Sequence, residues 1–499
     1  MVCAAAAGCA GSAGKAIRHE GRPTGQVTLP LQGVYKATII PPFDFIGPIA
    51  GRISAEQTPK GFIASTRPGI AWDMVGGVQG FLGSIFVPFI FPGGTIGTWT
   101  SGIPEGDKPG EGWFGVGGIK NAGVKTRITS ASAPVELWTD KRKVGLLLLE
   151  PDQANGPPLR DYPSLAEDIA VAMEQKTYDP DIAESSAVRA YIRQVRGNAK
   201  LAHDDVEFIF GTVAAARNHI RFTMPLAFPK GDAASRAAMT DWSAAELTTI
   251  RTTMDRRTGV AWVKADAFLA ASDVDRVFTE ILSQSPKGVI IDLRATPGIS
   301  LASLRVLSWV AEAPVDAGVW FGRSRRKEVL EGGIDHVERM ELASAASVEE
   351  IESALDRDGA VHIIVKPEAA AFKGPVAVLT SKRTSASAES LVLALKDSTR
   401  AEVFGQPTAG KPYLSRPIDL RSGWVFWLAS CDFRSAAGEK VAESGIRPDH
   451  ETSREGTSRA AEKWLAAQAG VTPPATSLEE KASSLLSPFF KAAGHGAQK

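Results

Sequence analysis

The sequence predicts a multidomain α/β protein, in which an α/β core follows a mostly-β domain and a small three-helix subdomain. The chain has 499 residues, more than one hydrophobic core usually supports. Apolar residues make up 44% and charged residues 22% of it, as is typical of globular proteins. The apolar pattern changes from alternating to helical near residue 160, and to alternating strands and helices near residue 256.

Charge and cysteine content exclude several classes of function. Lys and Arg number 56, as do Asp and Glu, so there is no electrostatic reason to expect nucleic acid as a partner. The three cysteines, Cys3, Cys9 and Cys431, are too few for a disulfide scaffold or a cysteine-rich zinc site. The seven histidines are scattered, and we therefore expect neither a metal site nor a cofactor.

Residues 1–24 are predicted to be a leader. Small apolar residues run up to Cys9, which Ala, Gly and Ser follow. This resembles the end of a bacterial lipoprotein signal, although the basic region and the long apolar stretch are missing, as a start codon placed too late would explain. Two interpretations stay open: lipidation of Cys9, with membrane anchoring and a periplasmic or outer-envelope location, or a flexible leader on a cytoplasmic protein.

Residues 25–155 are rich in Gly, Pro, Thr and Val and predict a mostly-β domain. Alternating segments separated by turn residues lie at 27–29, 34–40, 62–65, 135–138 and 144–149. The charge-free run between Asp73 and Glu105 contains too many glycines and prolines for a membrane-spanning helix. It predicts buried strands and turns, with a membrane-touching or ligand-lining surface as the alternative.

Residues 156–222 predict a helical subdomain. Ser164 and Glu167 have the spacing of a capping box at the start of its first helix. Apolar residues at helical spacing predict two further helices, at 181–196 and 204–217. Residues 223–255 are then predicted to be a linker.

Residues 256–452 alternate between strand-like and helix-like segments and predict the α/β core. Strands are expected at 259–264, 288–293, 361–365, 376–379, 401–404 and 424–428, and helices at 274–282, 301–313 and 389–396. Such alternation implies right-handed crossovers, with strand ends that meet at one edge. Ligands and catalytic groups gather at that edge. Residues 453–499 are expected to form a C-terminal helix at 458–468 and a polar tail.

The loop that begins at Thr380 is the first candidate for chemistry. A serine placed where a strand turns into a helix has its hydroxyl at the positive helix end, where backbone N–H groups can stabilise an oxyanion. Lys411 follows the next strand, and a desolvated lysine can accept a proton. Gly298, after the strand at 288–293, can supply a second N–H donor. Ordinary strand–helix loops are the alternative interpretation.

From Gly259 to His450 the chain resembles the C-terminal processing, or tail-specific, serine proteases. Four segments carry the resemblance in the family's order: 288–298 resembles GLILDLRxNPGG, 384–389 the serine loop, 405–411 GExTxGK, and 445–449 GIxPD. The resemblance implies a protease-like core of the crotonase-like ββα superfold. It also implies polypeptide substrates and peptide-bond hydrolysis through an acyl-enzyme, without a cofactor.

The family's inserted PDZ module is missing, and a helix ends at Asn218-His219. Both features resemble the tricorn-like and chlamydial-protease branch of the family. There a histidine joins the serine together with a distal glutamate, which implies His219 as the base and Glu443 as the residue that orients it. Lys411 and His219 both stay candidate bases, and capping of the helix is the alternative role of His219.

The serine loop departs from the family pattern. The family's nucleophile lies three residues before the helix glutamate, here Glu389, and at a fixed spacing from the lysine, here Lys411. Both counts give Ala386, which Ser385 and Ser387 flank. We predict Ser387 as the nucleophile, because Ser-Ala-Ser-Ala reproduces the family's local string, and Ser385 as the alternative.

Two further departures affect the groups around the nucleophile. Ala442 stands where the family often has its acidic residue, with Glu443 next to it, and Ile299 replaces the second glycine of Pro-Gly-Gly. The predicted oxyanion donors are the N–H groups near Gly298 and Ala388. The departures keep open an alternative function, a catalytically degenerate family member that binds peptides or apolar ligands.

Overall fold

The structure is a computed structural model. It describes residues 33–40, 46–58, 61–66, 95–101, 110–115, 123–128, 135–139, 142–153, 156–222, 225–231, 249–398, 401–441 and 443–470. The chain divides into two compact units, residues 1–247 with 415–429, and residues 248–414 with 430–499. Cys9, the strand expected at 27–29 and most of the charge-free run lie outside the described residues.

Eight strands of the first unit form a closed barrel in which neighbours along the chain pair. The strands are β1 (Gly33–Ile40), β2 (Ile49–Thr58), β3 (Gly61–Thr66), β4 (Thr95–Ser101), β5 (Gly110–Gly115), β6 (Gly123–Ile128), β7 (Val135–Thr139) and β8 (Arg142–Pro151). β1 closes the barrel by pairing antiparallel with β8. The predicted mostly-β region is thereby confirmed.

Four helices follow the barrel in the first unit: α1 (Tyr162–Lys176), α2 (Pro180–Ala183), α3 (Ser186–Ala199) and α4 (Asp205–His219). α1 begins at Tyr162 and not at Ser164, because Asp161 is its cap and accepts the Ser164 N–H at 3.1 Å. The helix expected at 181–196 is divided, since Ser185 caps a new helix by accepting the Val188 N–H.

Asp205, at the start of α4, joins the barrel to the helices. Its carboxylate is fully buried and accepts the Ala50 N–H of β2 at 3.0 Å. It also accepts from Arg160 Nε at 2.8 Å and from the Tyr162 hydroxyl at 2.9 Å. Because a buried carboxylate needs such partners, these contacts fix β2 against α1 and α4.

Asp204 also links the barrel to α4, and its raised pKa predicts that the stability of the first unit depends on pH. Its carboxylate accepts the Arg52 and Glu207 N–H groups, both at 2.9 Å, while burial raises its pKa to about 6 from 3.8. Because the pKa of Asp204 is higher in the folded chain than in the unfolded chain, protonated Asp204 stabilises the fold at pH values below its unfolded-state pKa. This stabilisation is lost as the pH rises through about 6. We expect the free energy of unfolding of the first unit to fall by about 2–3 kcal/mol across this range.

Urea unfolding of the whole chain at several pH values, followed by hydrogen exchange of α4, tests this expectation. Asp204→Asn should lose this part of the pH dependence, whereas Asp181→Asn, at an exposed position of α2, should keep it. An unchanged slope in Asp204→Asn contradicts the expectation.

The segment 223–255, expected to be a linker, contains two strands. β9 (Leu226–Pro229) pairs antiparallel with Trp424–Trp427 in the first unit. β10 (Ile250–Asp255) pairs antiparallel with β11 (Val260–Ala265) in the second unit. These strands escaped prediction because their polar or short sequences lack a clear alternation.

The main sheet of the second unit has the order β10-β11-β12-β17-β19-β22. All pairs after β10–β11 are parallel, and the members not yet named are β12 (Gly288–Asp292), β17 (Val376–Thr380), β19 (Ala401–Gly405) and β22 (His450–Glu451). Every residue of β12 and β17 is buried, as in parallel sheets covered on both faces. The predicted α/β core is confirmed.

The rest of the second unit covers and extends this sheet. Its helices are α5 (Ala271–Leu282), α6 (Arg305–Val310), α7 (Arg326–Gly332), α8 (Ala345–Asp358), α9 (Ser387–Ser398) and α10 (Thr457–Gln468). A second sheet contains β14 (Val315–Gly322), β15 (Arg339–Leu342), β16 (Ala360–Val365) and the end of β21 (Trp424–Arg434), which begins in the first unit beside β20 (Leu414–Leu420). None of the helices in the described ranges is long and apolar enough to cross a membrane.

Candidate active site

Two of the four family-like segments meet just beyond the carboxyl ends of β12 and β17. The short strands β13 (Pro297–Gly298) and β18 (Ser385–Ala386) pair in parallel, with Pro297 opposite Ser385 and Gly298 opposite Ala386. The Thr384 hydroxyl donates to the Leu293 carbonyl at 2.8 Å. Gly298 therefore lies beside the serine loop.

The lysine loop is bonded to the same serine loop. The Ala409 N–H donates to the Thr384 carbonyl at 2.9 Å, and the Ala386 N–H donates to the Lys411 carbonyl at 3.0 Å. The Lys411 side chain is exposed. The backbone of Lys411 is thus in direct contact with residue 386.

A buried carboxylate, that of Glu389, fastens this contact. Its Oε1 accepts from the Thr408 hydroxyl at 2.5 Å and from the Gly410 N–H at 2.7 Å, and its Oε2 accepts the Lys411 N–H at 2.7 Å. Burial raises the pKa of Glu389, and these donors oppose that rise. Sequence reasoning used Glu389 only as a counting reference, because no spacing signal links one helix acid to a distant loop.

The fourth segment joins through Thr408. Its N–H donates to the Ile446 carbonyl at 3.1 Å, and its hydroxyl oxygen accepts the Ile446 N–H at 2.8 Å. The Thr408 hydroxyl proton is therefore free to point at Glu389. A single chain of hydrogen bonds connects the serine loop, the lysine loop and the GIxPD-like segment.

Ala386 occupies the strained position of the serine loop. Its φ is +56°, and the only other non-glycine residue with a positive φ in the described part of the chain is Ser285. A residue with a Cβ is disfavoured there, by about 1–3 kcal/mol. The strain falls at the turn from β18 into α9, between the two candidate serines.

Ser387 is fully buried, which corrects the expectation that it presents its hydroxyl at the edge. The hydroxyl donates to the Ser300 carbonyl at 2.6 Å and accepts from the Ser303 hydroxyl at 3.0 Å. Because Ser387 is the first residue of α9, it lies past the strained turn. Its side chain contacts the loop after β13 instead.

The other predicted residues around the turn lie close together. Ser385 is half-buried, and its N–H donates to the Thr296 carbonyl at 3.3 Å. A Cβ added at Gly298 would lie 2.1 Å from the nitrogen of Ala388. The two predicted oxyanion donors therefore come from backbone segments in direct contact, and their role stays a prediction.

His219 and Glu443 belong to different units. His219 is the last residue of α4, and its Nε2 lies 3.0 Å from Gln194 Oε1 in the same unit. Glu443 is exposed. Their assignment as base and orienting residue stays a prediction.

Parts of the chain are similar to known proteins. The chain is 35% identical over 82 residues to carboxyl-terminal-processing peptidase 2, chloroplastic, of Arabidopsis thaliana. This match covers 16% of this chain and 16% of that protein. It is 24% identical over 241 residues to the carboxyl-terminal-processing protease of Synechocystis sp., which covers 45% of this chain and 53% of that protein. These matches span about half or less of each relative's length.

A solved structure is also similar. The photosystem II D1 C-terminal processing protease matches with a TM-score of 0.29 at 18% identity, over 41% of this chain and 48% of that one. The model of peptidase family S41 matches residues 259–452, a range that contains all four hydrogen-bonded segments. Residues 259–452 are therefore similar to peptidase family S41, whose members are serine-type peptidases.

Proposed function

We propose that this chain acts on polypeptides at the carboxyl edge of the main sheet in its S41-like domain, with hydrolysis as a serine-type endopeptidase as the first candidate activity and binding without hydrolysis as the second. The observation that carries the proposal is the hydrogen-bonded assembly of the four family-like segments at that edge. The family supplies the reaction, peptide-bond hydrolysis, and the substrate class, polypeptide. The names of the relatives refer to processing of a carboxyl terminus. For this chain we propose only the broader substrate class, polypeptide.

Hydrolysis, the first candidate activity, proceeds through an acyl-enzyme. A serine oxygen bonds to the carbonyl carbon, its proton passes to a general base, for which Lys411 is the candidate in the same unit, and the amine leaves with a proton before water releases the acid. N–H groups near Gly298 and Ala388 hold the oxyanion. In this reaction Ser387 must first give up its two buried hydrogen bonds, and the half-buried Ser385 is the alternative nucleophile.

Binding without hydrolysis is the second candidate activity, and a specific observation favours it. The residue at the strained turn is Ala386, which has no hydroxyl, while the neighbouring Ser387 hydroxyl is buried and bonded on both sides. The edge can still receive a polypeptide, because the four segments that form it remain assembled.

One experiment separates the candidates. The full chain is incubated with unfolded β-casein, and both fragments and complex formation are measured. Fragments that disappear in Ser387→Ala or Ser385→Ala support hydrolysis and identify the nucleophile. A stable complex without fragments supports binding, and the absence of both overturns the proposed function.

We also propose that Cys9 is lipidated and anchors the chain at the bacterial envelope. The small residues on both sides of Cys9 support this proposal. Incorporation of labelled palmitate in cells, compared with that of Cys9→Ser, tests it. Equal incorporation in both chains contradicts it.

A further inference from the structure

We infer that residue 386 is the reacting position of the S41-like domain, and that the natural chain, with Ala386 there, holds polypeptide without cleaving it. This inference rests on the proposed polypeptide ligand and selects the second of the two candidate activities. It also assigns Ser387 as a positioning residue.

The backbone at residue 386 supports the first part. A left-handed conformation of a residue with a Cβ persists only where the surroundings enforce it, and such strain clusters at functional positions. Here the Ala386 N–H is bonded to the Lys411 carbonyl, the preceding Ser385 N–H is bonded to Thr296, and Gly298 pairs alongside. Ala386 is 6% exposed, and its place at a sharp turn from β18 into α9, directly before the first residue of the helix, is similar to that of the nucleophile in a nucleophile elbow.

Ser387 is excluded as the reacting residue because its hydroxyl already has two hydrogen-bond partners. Its hydroxyl is bonded to the Ser300 carbonyl and to the Ser303 hydroxyl, and its own carbonyl accepts a second contact from Ser303 at 3.2 Å. Ser300 in turn donates to Glu352 at 2.8 Å. These contacts connect the first turn of α9 to the loop after β13. Loss of the Ser387 hydrogen bonds would therefore loosen β13, which pairs beside residue 386.

Ser385 is excluded by its place in the strand. It precedes the turn and pairs with Pro297, and successive side chains of a strand point to opposite faces. Ser385 therefore lies before the left-handed residue of the turn and not at it.

The backbone at residue 386 already holds a residue that has a side chain. Ala386 already carries a Cβ at φ +56°, so Ala386→Ser adds one oxygen and no further backbone strain. The backbone of Lys411 is held against this residue, because its carbonyl accepts the Ala386 N–H and its own N–H is bonded to the Glu389 carboxylate. With a fluorophosphonate probe, the new hydroxyl oxygen bonds to phosphorus, the P–F bond breaks, fluoride leaves, and the proton passes to a general base, for which the amine of Lys411 is the candidate.

The test compares the full natural chain with Ala386→Ser by fluorophosphonate labelling, with the modified residue located by mass spectrometry. We expect no label on the natural chain. We expect Ala386→Ser to be labelled at position 386, and its labelling rate to fall by about 100-fold when Lys411→Ala is added, because a general base contributes about that much.

Two results overturn the inference. One is a label on Ser385 or Ser387 in the natural chain, and the other is an unlabelled Ala386→Ser whose melting temperature and hydrogen exchange match those of the natural chain. Binding of unfolded β-casein to both chains is measured in parallel. Labelled Ala386→Ser that does not bind casein contradicts the proposed polypeptide ligand while leaving the reacting position supported.

Discussion

Glu389→Ala is expected to lower the free energy of unfolding of the second unit by about 3–5 kcal/mol. The carboxylate is inaccessible to solvent and accepts from the Thr408 hydroxyl and from the N–H groups of Gly410 and Lys411. Its removal leaves three donors without that acceptor, and an unsatisfied buried donor costs about 1–3 kcal/mol. The lysine loop then loses its attachment to α9.

Chemical unfolding combined with hydrogen exchange of residues 405–411 measures this effect. Glu389→Gln keeps the size of the side chain but presents an amide N–H₂ to one of the donors, so we expect an intermediate loss. The matched control is Glu402→Ala, because the Glu402 side chain is 39% exposed and bonded to His450. Such an exposed pair contributes about 1 kcal/mol or less, and equal losses in both alanine variants contradict the role of Glu389.

Gly298→Ala is the other substitution with a large expected effect. The added Cβ would lie 2.1 Å from the nitrogen of Ala388 and 2.5 Å from both the nitrogen and the Oγ of Ser387. Two of these atoms belong to the backbone of α9, so β13 or the helix start must shift. We expect a loss of about 1–3 kcal/mol, as for other overpacked sites, together with faster hydrogen exchange in β18.

Gly322→Ala provides the control for that variant. Gly322 lies at the end of β14 in the same unit, and the atom nearest to an added Cβ would be the Ser430 carbonyl oxygen, at 3.5 Å. This is an ordinary van der Waals contact, and we expect little change in stability. A Gly298→Ala chain that unfolds at the same denaturant concentration as the natural chain contradicts the close approach of β13 to α9.

The apolar strands of the core could be predicted because each carries its own signal. β12 and β17 are runs of buried apolar residues bounded by turn residues, which a sequence pattern shows directly. β14 and β15 were not predicted, because their boundaries and partners depend on pairing with β16 and β21. The break before α3 also escaped, since one serine cap, Ser185, decides it.

The sequence by itself determined the family-like segments, their order and the presence of alanine between two serines. Only the tertiary structure decided which way those side chains face. The conformation of Ala386 depends on a bond to Lys411 and the orientation of Ser387 on a bond to Ser300. Both partners are distant along the chain, and a one-dimensional spacing contains no information about the hydrogen bonds that close a loop in space.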